Sequence, residues 1–208
     1  ERSAPSTSWA QWIFIGGSPL HLWHTTLVNN TGGYDSGTGI CIGDWYTDQT
    51  SEVELRNTIV ATETVGIRVK DGSTVDVDSI LWYANAITLT EVPQADVSIV
   101  NQITGDPVFA DPAYADFHLE PTSAARDVGM VSGVPTDFDG WVRPMGMGYD
   151  LGAFEHHDAA LSLSKTPSLS GANVGEELIY TLVLTSAGAG DSDNVVFTDT
   201  LDTWQRAT

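Results

Sequence analysis

The chain has 208 residues, with 28 acidic against 8 basic side chains and a formal net charge of −20. That charge argues against nucleic acid and against an anionic membrane surface as partners, since both require basic patches. Cys41 is the single cysteine, so neither an internal disulfide nor a cysteine-based zinc site is available, and no apolar run reaches membrane length.

In chain order, residues 1–20 read as loop except for the apolar burst Trp9-Ala10-Gln11-Trp12-Ile13-Phe14-Ile15, a strand closed by Gly16-Gly17. Leu22 to Val28 and Gly39 to Ile42 form a first long-and-short pair of strand patterns, separated by a Gly-rich insertion. Asn29-Asn30-Thr31 matches an N-glycosylation acceptor at Asn29. The pair then recurs as Val53–Val60 with Gly66–Val69, and as Val75–Leu81 with Ala86–Leu89. Val53 to Val75 and Leu55 to Val77 are each 22 residues apart, and a short period carrying two or three strands is what a parallel solenoid needs. Residues 1–105 are therefore expected to form rungs of a right-handed parallel β-helix.

Alternation sets the facing. Val53, Leu55, Val75 and Val77 point inward, and Glu54, Arg56, Asp76 and Asp78 point outward. In this register Arg56 lies over Asp78, an attraction, and Glu54 over Asp76, a repulsion. Trp23, Trp45, Trp82 and Tyr83 add aromatic bulk that packs between rungs or stacks on sugar rings, with packing the preferred reading. Asn57, Asn85 and Asn101 fit turn corners, where amides bond between rungs.

After Asn101 the repeat gives way to punctuation: Asp106-Pro107-Val108-Phe109-Ala110-Asp111-Pro112, Asp116-Phe117-His118-Leu119-Glu120-Pro121, Ala125-Arg126-Asp127-Val128-Gly129, Thr136-Asp137-Phe138-Asp139-Gly140 with Arg143-Pro144, and Gly148-Tyr149-Asp150-Leu151-Gly152-Ala153-Phe154-Glu155. These five blocks, in this order, resemble the C-terminal part of the choice-of-anchor Q family of bacterial secreted parallel β-helix proteins. Thr122, Ala124 and Arg126 depart from the family pattern. The resemblance implies an exported, extracellular or cell-surface protein. Residues 106–157 are expected to cap the last rung, because an open sheet edge recruits other strands. Arg143 is the expected ion-pair partner of Asp137, Asp139 or Asp150, tying loop segments together. Asp137-Phe138-Asp139-Gly140 also looks like half of a calcium loop, which makes calcium on Asp137 and Asp139 the competing reading.

Residues 158–208 change character. Leu161-Ser162-Leu163-Ser164-Lys165 alternates, Gly175-Glu176-Glu177 marks a turn, Leu178–Thr185 is a strong strand, and Asn194–Leu201 is another. This order resembles the conserved-repeat Ig-like stalk domain of bacterial surface proteins, domain of unknown function eleven. A complete sandwich takes about seven strands and roughly 100 residues, so only a partial Ig-like β-sandwich is expected. Its open edge would be Leu178, Tyr180, Leu182, Leu184, Val195 and Phe197. Either the chain is a piece of a longer protein, as an opening Glu1 also suggests, or another chain donates the missing strands.

Catalytic constellations are weak. Asp76 and Asp78 share a face, and Arg56, Arg68 and Lys70 are the nearby cations, but polygalacturonase-type blocks are absent. His156-His157 beside Glu155 and Asp158 reads as a hinge rather than a metal pair. The expectation is an all-β, non-catalytic structural or adhesive protein with no cofactor, calcium at Asp137 and Asp139 being the competing reading. It would associate with itself, with neighbouring domains of the same surface protein, or with glycans; the alternative is a fragment of a polysaccharide lyase or glycoside hydrolase.

Overall fold

A computed structural model describes residues 13–15, 19–30, 37–43, 50–70, 72–157, 161–168, 171, 173, 175–186 and 195–199. The residues expected to matter at Trp9, Trp45, Thr31, Asp158, Asn194 and Leu201 lie outside this set. The chain divides into two units, Glu1–His156 and His157–Thr208.

The first unit is built from two parallel sheets that the chain visits in turn. One sheet holds β2 (Leu20–Trp23), β5 (Glu52–Ala61), β7 (Thr74–Tyr83) and β9 (Asp96–Thr104) in that order, with β3 (Thr26–Val28) also pairing β5. The other holds β1 (Ile13–Ile15), β4 (Thr38–Ile42), β6 (Val65–Val69) and β8 (Ile87–Glu91). Val53 pairs with Val75 and Val75 with Val97, and Val65 pairs with Ile87, so three successive steps advance by 22 residues. The repeat read at Val53 and Val75 thus has a third copy at Val97, which the sequence reading did not extract. Between β2 and β5 the step is from Leu20 to Val53, longer by the Gly-rich insertion.

The two sheets share one apolar interior. Val53, Leu55, Val75 and Val77 from the first sheet meet Ile40, Ile42, Ile67 and Val69 from the second, and all eight are 0–1 % exposed. Each such side chain contributes roughly 1.5–3 kcal/mol by leaving water. Adjacent strands stack at about 4.8 Å, so residues of one ladder column touch without an intervening layer.

The long strands bend midway, and the bend resets their facing. His24, Asn57, Ser79 and Asn101 occupy equivalent places in four strands or strand junctions, and all have φ between 50° and 61°. Before the bend, Val53 and Leu55 face the shared interior; after it, Val60 does so, while Ile59 and Ala61 join a second cluster with Leu81, Leu119, Ala125 and Leu151. Simple alternation across Val53–Val60 therefore fails at Asn57, where a left-handed residue breaks the period of two.

Residues 106–157 form the outer half of that second cluster. They contain an antiparallel pair, β10 (Phe109–Asp111) and β11 (Asp116–Leu119), joined by a turn at Pro112–Tyr114, followed by loops held by the bridges Gly129↔Tyr149 and Thr136↔Val142. The expected end cap is instead a covering of the sheet face: Gly152 N–H donates to Asn57 O at 2.8 Å and Ala153 N–H to Thr26 Oγ1 at 2.9 Å. Gly152 is required here, because with φ +89° an added Cβ would stand 2.6 Å from Thr26 Oγ1 and 2.7 Å from Ile59 Cδ1. In this placement Leu119, Ala125 and Leu151 bury the apolar outer face at Ile59, Ala61 and Leu81.

In the second unit, β12 (Leu161–Pro167) pairs antiparallel with β13 (Tyr180–Ser186). Leu163 opposes Leu184 and Lys165 opposes Leu182, which places Leu161, Leu163, Leu182, Leu184 and Tyr180 on one face. Residues Val195–Asp199 carry no strand assignment, unlike the expected strand over 194–201.

Candidate functional site

Three groups of polar side chains on the first unit hold the chemistry. The first is the outward ladder of the β5–β7 pair. Register sets Glu54 against Asp76 and Arg56 against Asp78, as the 22-residue spacing implied. Arg56 reaches three carboxylates at once: Glu54, Asp78 at 3.1 Å and Asp76 at 3.5 Å. Desolvation works against the Arg56 cation, but the Glu54 hydrogen bond and the surrounding carboxylates outweigh it and raise its pKa. Likewise desolvation pushes Glu54 up, and hydrogen bonds from Arg56 and His21 hold it below the usual carboxylate range. Asp76 and Asp78 thus serve a shared cation on an open face. An acidic recess of about 320 Å3 lies beside them, lined by His21, Glu52, Glu54 and Asp76.

The second group is the seam where residues 127–156 meet the sheet. His24 is 7 % exposed; its Nε2 sits 2.7 Å from Ser132 Oγ and 3.0 Å from Asn57 Nδ2. Asn57 has its amide fixed by Met130, donating to the carbonyl and accepting from the N–H, both at 2.8 Å. With Asn57 Nδ2 a donor, His24 Nε2 accepts and the ring proton sits on Nδ1. Burial, and then the Arg143 charge, lower the His24 pKa to about 4, which keeps the imidazole neutral.

Arg143 anchors the same seam. Its guanidinium, 5 % exposed, pairs with Glu155 and donates to Thr136 O, Gly152 O and Ala153 O. Glu155 in turn accepts N–H from Met145 and Asp150. The expected pairs of Arg143 with Asp137, Asp139 or Asp150 are replaced by this one: the loop 152–155 passes the arginine, so two of its carbonyls and the Glu155 side chain fill the guanidinium fork. Asp150 instead accepts backbone N–H from Asp127 and His156 at 2.7 and 2.6 Å. Burial raises its pKa to about 6, helped by the negative charges of Glu155 and Asp127 and opposed by those two hydrogen bonds. Asp137 accepts three backbone N–H groups, from Asp139, Trp141 and Glu155. That arrangement makes Asp137 a loop fastener, with both oxygens engaged, rather than a free calcium ligand. Among the described residues no group of three or more His, Cys, Asp or Glu side chains converges on a metal position.

The third group is exposed. His118 lies between Asp116 and Asp139, with Nε2 2.7 Å from Asp139 Oδ2, and its ring stacks on Phe154 at 4.1 Å. Desolvation lowers its pKa, but hydrogen bonds to Asp139 and Asp116 outweigh this and raise it. Asp139 therefore belongs to His118, not to Arg143. Phe138 stands 80 % exposed next to Phe154, ring centroids 5.6 Å apart.

The remaining expected positions scatter. Asn29 is exposed with φ 51° at the corner after β3. Asn85 and Asn101 bond across ladder columns, to Val60 O and to Asp78 Oδ1. Trp82 is buried and donates to Gln102, whereas Trp23 is 39 % exposed on the outer face. His156 is buried, with Nδ1 on Leu119 O, so it belongs to the seam and not to a metal pair. Leu178 and Tyr180 are half-buried, and Leu182, Leu184, Val195 and Phe197 are exposed.

Sequence reasoning missed His24, Ser132 and Glu63. Glu63 is 2 % exposed and accepts from Asn30 N and Nδ2, in the corner column that Asn85 continues. The signal that could have found it is its place 22 residues before Asn85. Comparison with protein-family models, curated proteins and solved structures finds no match for this chain.

Proposed function

We propose that the protein is a non-catalytic structural or adhesive component of an exported bacterial surface protein. In this reading the two parallel sheets are faces of a right-handed parallel β-helix of the choice-of-anchor Q type. The second unit is part of an Ig-like stalk, which neighbouring domains or donated strands complete along Leu178, Tyr180, Leu182, Leu184, Val195 and Phe197. Glycans are the candidate external ligands.

The observation that carries the reading is the single dry column running through Val53, Val75 and their neighbours, rung upon rung. Such a stack is rigid in one direction and offers a long face. Among the described residues, the three polar groups tie loops together or neutralise one another, which suits a scaffold. Supporting the stalk assignment, β12 and β13 leave Leu161, Leu163, Leu182 and Leu184 36–53 % exposed on one face, as half of a sandwich would.

Electron microscopy of the purified protein, with and without residues 158–208, tests this. Ordered assemblies that disappear on deletion, with no cleavage of uronic-acid polymers, are the expected result. Polysaccharide cleavage abolished by Asp76→Asn or Asp78→Asn would replace the reading with an enzyme.

A further inference from the structure

The end of the stack formed by β8 and β9 is open. Among the described residues β8 pairs only with β6 and β9 only with β7, so each strand carries one side of unpaired amides and carbonyls. The interior column loosens at the same place. Val75 and Val77 are 1 % and 0 % exposed, while Val97 and Ile99, directly below them in register, are only half-buried, as is Leu89. A recess of about 600 Å3 opens there, with Trp82, Leu89, Ile99 and Gln102 among its walls.

Proteins normally blunt such an edge with lysine, proline, a bulge or an inward charge. None is present. Ile87–Glu91 and Asp96–Thr104 contain no lysine and no proline, and both keep the 22-residue register with their neighbours. The charged side chains on the two strands are Glu91 and Asp96, both acidic and exposed. On the outer face of the sheet that ends in β9, Arg56 already serves Glu54, Asp76 and Asp78, which leaves Asp96 on an acidic face. A second copy of the chain would bring a further net charge of −20, which opposes close approach.

We propose that this end accepts an extended polypeptide segment from a partner, which adds a strand to β9. Aliphatic side chains at alternate positions cover Val97 and Ile99, and a lysine or arginine on the outward face meets Asp96. Backbone pairing supplies affinity and the alternate pockets supply selectivity. The proposal uses only strand pairing within the first unit and stands whether or not the protein is exported.

The test uses the full chain and a fluorescent peptide whose five central residues carry valine at the inward and lysine at the outward positions, matching Asp96–Val100 ahead of the Asn101 bend. Saturable binding is expected, with slowed hydrogen exchange confined to β8 and β9. Asp96→Lys, an exposed change that leaves the fold intact, is expected to weaken binding at least tenfold, and Ile99→Lys, an inward charge at the open end, to do the same. If Ile99→Lys fails to fold by circular dichroism, the Asp96→Lys arm and the exchange pattern decide. Equal binding of a peptide with serine in place of valine would overturn the proposal, as would protection elsewhere or no binding at millimolar peptide. Self-association that protects the same amides without peptide would give the edge to a second copy and equally overturn it.

Discussion

Arg143 and Glu155 are buried so completely that neither can be solvated by water if the other is removed; their side chains are 1 % and 0 % exposed. Removing one partner of such a pair typically costs about 3–5 kcal/mol, whereas replacing both with neutral groups costs less. Arg143→Met is therefore expected to lower unfolding stability in urea by about 3–5 kcal/mol. Adding Glu155→Gln in the same chain should restore part of the loss, since the glutamine still accepts one of the N–H groups now held by the carboxylate. A double variant no more stable than the single would mean that the arginine acts through its three carbonyl contacts instead.

His24 and Asp150 give the same seam two opposing pH dependences. The folded pKa of His24, about 4, lies below its ordinary value of 6.5, so between those values the unfolded chain binds the proton and stability falls as pH falls. The folded pKa of Asp150, about 6, lies above its ordinary 3.8, so across that window the folded chain binds the proton and stability rises as pH falls. The two slopes nearly cancel between pH 6 and 4. In Asp150→Asn the rise is gone, and thermal unfolding should become clearly acid-sensitive through this window. His24→Gln should show the reverse trend; parallel pH profiles for the two variants would refute the assignment.

At the scale of the strand, the left-handed residues decide the shape. The corner after the bend repeats as Asn29, Thr62 and Ala84, with φ of 51°, 58° and 50°. Asparagine tolerates that conformation and a β-branched residue does not. Thr62→Asn is accordingly expected to stabilise by about 1 kcal/mol and raise Tm by roughly 2–4 °C. Asn57→Thr, at the earlier bend, should be costly because it also removes both Met130 hydrogen bonds; scanning calorimetry separates the two signs.

These corners also show what was legible beforehand. The Val53–Val75 register could be read because apolar spacing is a local pattern that successive strands of the sheet repeat. The phase reset at Asn57 could not, since an asparagine inside an alternating run is compatible with either continuing or turning. The choice is made by Ile59 and Ala61 meeting Leu119 and Leu151, residues distant in the chain. For the same reason Arg143 was identifiable as a fastener, but its partner was not: Asp137, Asp139 and Asp150 were equivalent as letters, and only the path of 150–155 brings in Glu155, which the spacing had not offered.

Over the whole molecule, charge is the dominant long-range term. Eight cations can neutralise at most eight of the 28 carboxylates one for one, which leaves the net −20 as mutual repulsion in the compact state. Raising sodium chloride from 0.01 to 1 M shortens the screening length from about 30 to about 3 Å. The few exposed attractions, such as Arg56 with its three carboxylates, weaken with it, but the more numerous repulsions weaken too, so Tm is expected to rise with salt. A fall would mean that the outward ladder contributes more than the global field. Calcium chloride at matched ionic strength sharpens the comparison. If only screening operates, its Tm should track that of sodium chloride, because the Asp137 oxygens already accept three backbone N–H groups and Asp139 is held by His118. A rise beyond the sodium curve that Asp137→Asn or Asp139→Asn removes would show the opposite: that the loop releases those hydrogen bonds to take the ion.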